Sequence, residues 1–228
     1  MFFIAKNIKL ICKFIPIGIN FQHGKRTEKM RYTKSAITSQ YIIEKVAPIF
    51  NKKGYVGTSL SDMTEATGLT KGSIYGNFKN KDGVAIEALK YNISIITDSF
   101  FIEIANSLLS PINRLYSLPK LYHTRYEKIV AMGGCPIINT AADADDTHPQ
   151  LRKITQDIVS KIEKALIAVI KEGILKGEIK PNTNPNKIAQ VIISLVEGGF
   201  MMAKLIDDKK YFDHTLEHLR EIIERIQI

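Results

Sequence analysis

Between Thr70 and Lys81 the chain gathers a lysine, hydroxyls, a phenol and an amide on what the spacing predicts to be one short helix. Ile74 and Phe78 are four apart and must face inward, which leaves Lys71, Gly72, Ser73, Tyr75 and Asn77 pointing outward. Such groups reach base edges and phosphates, and a glycine among them lets a backbone come close, so the surface suits a DNA major groove. The chemistry implied is recognition. Bond making has no support: there is no nucleophile elbow, phosphate loop or dinucleotide fingerprint. The five histidines show no zinc-ligand spacing. Asp143, Asp145, Asp146 and His148 cluster, but His148 and Ile154 stand where a calcium loop needs glycine and a bidentate glutamate, so a turn and helix cap are expected. No catalytic residue, metal site or cofactor is expected.

The elements that hold this helix can be read locally. Ser59 caps a preceding helix, and Asp62 three residues on completes a capping box. Leu60, Met63 and Thr67 then share one face. Gly68 falls where the chain must leave that helix, through the left-handed conformation glycine tolerates. Thr70 caps the second helix. Two amphipathic helices joined by a glycine-bearing turn form a helix-turn-helix. Upstream, Ala36 to Lys53 reads as a first helix with Ile42, Val46, Ile49 and Phe50 on its apolar side and a kink expected at Pro48. Asn80 is expected to cap a fourth helix running through Ala85 and Leu89 that links head to body.

This stretch resembles the N-terminal domain of the tetracycline-repressor (TetR) family of bacterial transcriptional regulators. The resemblance runs from Ile37 through Phe50, Gly54, Thr58-Ser59-Leu60, Gly68-Leu69-Thr70-Lys71-Gly72, Ile74-Tyr75 and Phe78 to Lys81. Thr64 and Val84 depart mildly from the family's usual small residue and leucine. The resemblance implies a homodimer whose two recognition helices enter successive major grooves of a palindromic operator in double-stranded DNA. By position, Lys71, Ser73 and the Gly72 backbone would approach base edges. Thr58, Ser59, Thr70, Tyr75, Asn77 and Lys81 would hold phosphates.

Charge distribution agrees with a small DNA-reading head. The net charge is +9, with 7 basic and 1 acidic side chains in residues 1–33, 7 and 4 in 34–82, and 18 of each in 83–228. Residues 1–33 form an extension whose apolar run is broken by Lys6, Lys9 and Lys13, too short for a membrane span and unlike a secretory signal. Met30 is the expected native start, the alternative being that residues 1–29 form a basic arm that touches DNA or a membrane surface. Only Cys12 and Cys135 occur, which points to a reducing cytoplasm and no structural disulfide. No membrane partner is expected.

The fold class expected is all-α: residues 34–82 form the DNA-binding head and 83–228 a helical effector-binding and dimerisation body. In the body, Leu118, Leu121, Tyr122 and Tyr126 line one helix face, with Cys135 and Asn139 following a Gly133-Gly134 loop. Together they are expected to wall a pocket for a mostly apolar effector. The last two helices carry heptad spacing, through Ile192, Leu195, Gly199 and Met202 in one and Leu216, Leu219 and Ile223 in the other. The spacing admits an intrachain hairpin or a four-helix dimer interface, and the family resemblance favours the dimer. Effector-controlled repression is the expectation, with a ligand-independent architectural or division-control DNA binder as the alternative.

Overall fold

A computed structural model of the chain describes residues 34–144 and 147–228. The expectations for residues 1–33, and for Asp145 and Asp146, lie outside the described residues. Those described form nine helices and no sheet: α1 (Lys34–Gly57), α2 (Leu60–Thr67), α3 (Lys71–Asn77), α4 (Lys81–Ile104), α5 (Pro111–Ala131), α6 (Pro136–Ala144), α7 (Pro149–Leu175), α8 (Pro185–Ile206) and α9 (Lys210–Ile226). The all-α expectation holds.

The head is closed by a core of its own. Ile42, Val46 and Ala47 from α1, Met63 from α2 and Ile74 from α3 are buried together with Val84, Ala85 and Ala88 of α4. The first turns of α4 therefore belong to the head core, which reaches past residue 82. Ser59 and Asp62 form the capping box reciprocally, and Gly68 leaves α2 at φ 67°. Thr70 caps α3, and Asn80 caps α4 through the Gly83 amide. The irregular backbone in α1 falls at Gly54, φ 73°, and not at Pro48.

α4 continues out of the head into the body, where it packs on α5 and α7. The body core is mainly apolar, with Leu115, Leu118, Leu166, Ile170, Phe212, Leu219 and Ile223 enclosed, and it also buries Thr97, Arg114 and Thr155. Tyr126, Phe200 and Phe212 form a ring cluster, with centroids 5.8 Å apart for Tyr126–Phe200 and 4.0 Å for Phe200–Phe212. Residues 136–144 form α6, so the start of the acidic stretch, expected as a turn, is helical as far as Ala144. Pro149 opens α7 in its first turn.

The α8–α9 pair is an antiparallel hairpin, and its seam lies within one chain. Ile192, Leu216, Leu219 and Ile223 are buried there, and Leu195 and Met202 are half-buried. A Cβ on Gly199 would collide with the Thr215 side chain, so this glycine admits α9 of its own protomer. Of these residues, expected at a dimer interface, Ile192, Gly199, Leu216, Leu219 and Ile223 are already buried within one chain. A second stripe on α8 faces out: Val191, Ser194, Gly198, Met201 and Leu205, again at alternating spacings of three and four. Leu205 is 72 % exposed, and a Cβ on Gly198 would meet nothing. α8 is long and apolar enough to cross a membrane by length and composition, with only 33 % of its most apolar window buried. It has two apolar faces, and this chain covers one.

Candidate DNA interface and effector site

The candidate DNA face is built on the α2–α3 corner. Ile74 is fully buried and anchors α3 to the head. Lys71 and Gly72 are exposed, and only Thr70 Oγ1, at 3.9 Å, comes near a Cβ built on Gly72. Backbone and lysine at the start of α3 are thus open to a duplex. Thr70 Oγ1 accepts from the Ser73 amide at 3.2 Å, fixing the helix start. Asn77 serves partly as a brace: its amide donates to the Ser73 carbonyl at 2.8 Å, and its Oδ1 accepts from Ser35 and Ser39 hydroxyls of α1. Tyr75 is half-buried against the head core. Ser59 is exposed, with its hydroxyl engaged by Asp62. Lys81 lies with Nζ 4.5 Å from the Tyr55 ring centroid.

Thr58 requires a correction. It has no exposed surface, and its hydroxyl donates to the Gly54 carbonyl at 2.7 Å. That hydroxyl ties the α1–α2 corner and is unavailable to a phosphate.

Head and body meet through a polar clasp centred on the end of α1. Asn51, 7 % exposed, donates to the Met132 and Gly134 carbonyls at 2.8 and 2.9 Å. Asn139 from α6 donates to the Asn51 backbone carbonyl and Oδ1, both at 3.1 Å. The Tyr55 amide donates to Asp143 at 2.6 Å. The Asp143 carboxylate occupies the space that a Cβ at Gly54 would need, and together with the positive φ this calls for glycine. The Tyr55 hydroxyl donates to Asp82, whose carboxylate also faces His148 Nε2 at 3.5 Å. The Asp82 hydrogen bond pushes the Tyr55 phenol up to about 12 and, reciprocally, holds the Asp82 carboxyl below its ordinary range. His148 also caps α7, accepting from the Leu151 amide. His148 is a helix cap, as expected, whereas Asp143 lies within α6 and braces the end of α1.

Two spaces are candidates for an effector. Beside the clasp lies a half-open cavity of about 390 Å³, lined by the end of α1, by Asn92 of α4, by Asn139 and Asp143 of α6 and by Lys204 of α8. Deeper in the body is a narrow, partly open void of about 40 Å³, where Leu121, Tyr122, Cys135 and Glu197 meet. Of the expected wall, Leu121, Tyr122 and Cys135 line this void. Leu118 is sealed in the core, Tyr126 stacks on Phe212 with centroids 5.1 Å apart, and Asn139 sits at the clasp. Leu118 and Tyr126 line neither space, which corrects their assignment to the wall, and Asn139 lines the cavity beside the clasp instead of the void. Glu197 is the lining residue that the sequence pattern does not flag. As one carboxylate on an apolar helix it reads as a solvated group, and only its place between Val196 and Phe200 hints at an inward position. Its Oε1 accepts from the Cys135 thiol at 3.2 Å. Burial, followed by the Glu197 charge, pushes the Cys135 thiol well up, which leaves it protonated and unreactive.

A helix-turn-helix head with an open recognition helix, clasped to an all-helical body, defines a DNA-binding transcriptional regulator. Residues 42–88 match the family of bacterial regulatory proteins described as the tetR family, and residues 111–219 match the tetracyclin repressor-like C-terminal domain. A TetR-family transcriptional regulator from Cytophaga hutchinsonii is 40 % identical, covering 86 % of this chain and 98 % of its own, with a TM-score of 0.80. A TetR regulator from Chloroflexus aurantiacus J-10-FL is 30 % identical, covering 85 % and 98 % respectively, with a TM-score of 0.79. The HTH-type transcriptional repressor DhaR of Mycobacterium sp. (strain GP1) is 24 % identical over 181 residues, 78 % of this chain and 87 % of that protein. The chain belongs to the TetR family of transcriptional regulators.

Proposed function

We propose that the protein is a cytoplasmic homodimeric repressor that holds a palindromic operator and releases it when a small molecule enters the body. Lys71, Gly72 and Ser73 approach base edges, while Ser59, Thr70, Tyr75, Asn77 and Lys81 hold phosphates; Thr58 drops from that set because its hydroxyl is buried. The uncovered stripe on α8, Val191 to Leu205 with Gly198 at its centre, supports pairing with the same stripe of a second copy.

The observation that carries the reading is the clasp. Asn139, Asp143 and His148 of the body grip α1 and the start of α4, and α3 rests on those same helices. A shift of α6 therefore tilts the recognition helix. Two such helices joined in a dimer then change their separation, and the operator no longer fits both at once. Induction requires the effector to prefer the non-operator arrangement by about 1–3 kcal/mol. The small size of the body void favours the ligand-independent alternative, since about 40 Å³ holds no organic molecule as it stands. The deciding experiment is a broad ligand screen by melting temperature and operator release. A compound that does both supports the repressor reading, and a screen in which none does leaves the ligand-independent binder.

A further inference from the structure

The pocket's chemistry narrows what can open it. Glu197 projects from α8 into a space walled by Phe100, Leu121, Ile129, Val196 and Phe200. The residue as a whole is half-buried, but Oε2 is enclosed and has no hydrogen-bond partner. Native structures rarely leave an enclosed carboxyl oxygen unpaired, because the lost solvation is not returned. From α6's leading edge, Cys135 supplies one thiol donor to the other oxygen. From α5 come Tyr122, whose phenol is pushed up by burial and then by the Glu197 charge, and Arg125. The Arg125 guanidinium donates to the Ile95 carbonyl at 2.9 Å and acts on Asp98. α4 contributes Thr97, whose hydroxyl donates to Ile93, and α7 contributes only Ile162. Nothing on any of these walls neutralises Glu197.

We infer that this pocket takes a compact apolar molecule bearing a primary ammonium group, with the ammonium seated on Glu197 Oε2; the inference rests on the effector reading above. An anion is repelled, and a molecule without a donor leaves Oε2 unpaired. An ammonium group supplies donors and countercharge together, and the rings of Phe100, Tyr122 and Phe200 suit both an apolar body and a cation. The present void, at about 40 Å³, has room for about one water. The ligand thus selects an arrangement in which α5 and α8 stand further apart, which is the differential affinity that control requires. The movement has a short route to the head. Cys135, bonded to Glu197, immediately precedes α6, whose Asn139 and Asp143 grip α1.

Burial holds the Glu197 carboxyl up at about 6, against the Cys135 hydrogen bond, which lowers it. Ammonium binding needs the ionised form, so affinity falls by about tenfold between pH 7.5 and pH 5.0. The test compares benzylamine, benzyl alcohol and benzoate against the full chain, by calorimetric titration and melting temperature, with release from DNA of the gene's upstream region as a second readout. Benzylamine is expected to bind and release DNA at pH 7.5, to bind about tenfold more weakly at pH 5.0, and to lose at least tenfold in Glu197→Gln. Benzoate is expected not to bind. Should Glu197→Gln fail to fold, Glu197→Asp replaces it, with a smaller loss expected. If benzyl alcohol or benzoate matches benzylamine in binding and release, or if the variants bind benzylamine unchanged, the ammonium assignment is overturned while effector control stands. If none of the three binds or releases DNA at any pH, the ammonium assignment also falls. Effector control itself then stands or falls with the broad screen above.

Discussion

Replacing Glu197 by glutamine isolates the cost of an enclosed carboxylate. In the folded chain this group titrates near 6, held up by burial, against an ordinary value of 4.5. The folded state thus holds the proton more tightly than the unfolded state. The associated stability is fully present below 4.5 and is lost as pH rises through 6. The difference amounts to about 2 kcal/mol, and the enclosure of Oε2 means that solvent screening takes little from it. Glutamine keeps the shape and an acceptor for the Cys135 thiol but does not titrate. Urea unfolding of the two proteins at pH 4.5 and pH 7.5 measures the effect, each pair at the same protein concentration. The stability of the variant relative to the parent should grow by about 2 kcal/mol between the two pH values, or about 4–8 °C in melting temperature for a chain of this size. A relative stability that stays constant with pH would refute the claim that Glu197 is buried without a countercharge.

Other outcomes follow from the same contacts. Asp143→Ala leaves the Tyr55 amide without its acceptor and should cost about 1–3 kcal/mol by denaturation, while weakening the link between effector binding and operator release in a DNA titration. Gly199→Ala drives a methyl into the stiff Thr215 side chain and should cost about 1–3 kcal/mol of stability without changing the dimer dissociation constant. Leu205→Glu should raise that constant, measured by sedimentation velocity, while leaving helix content unchanged. Cys135 should react with a thiol reagent only on unfolding, because the thiol is buried and its ionisation is suppressed; rapid labelling of the folded protein would contradict this.

What the sequence makes legible is the local part of the fold. The Ser59–Asp62 box, the Gly68 exit and the Thr70 and Asn80 caps depend on residues within three or four positions of one another. Spacing alone therefore identifies them. α6 is hidden because the acidic run reads as a turn, although a helix opened by Pro136 carries into it as far as Ala144. The α8 seam shows a different limit. Two stripes on that helix have the same alternating spacing, Ile192–Met202 and Val191–Leu205, and periodicity cannot say which one the body covers. The same ambiguity separates Leu121 and Tyr122, which line the void, from Leu118 and Tyr126, which do not. The choice between them is made by helix crossings distant in sequence. Pro48 and Gly54 illustrate a competition: the ring leaves α1 helical, and the irregular backbone falls where Asp143 needs a residue without a side chain.

The most direct test of the account is equilibrium binding to DNA of the gene's upstream region, compared with random duplex, for the parent protein and for Lys71→Ala and Lys81→Ala. The parent should bind a palindrome as a dimer, with half-sites about one helical turn apart, and lose orders of magnitude in affinity between about 50 and 200 mM salt. Lys71→Ala should lower the preference for operator over random DNA by about 1–3 kcal/mol, and Lys81→Ala should weaken both equally. Equal loss on operator and random DNA for Lys71→Ala, or binding to a single half-site as tight as to the palindrome, would contradict the claim that paired α3 helices read the operator.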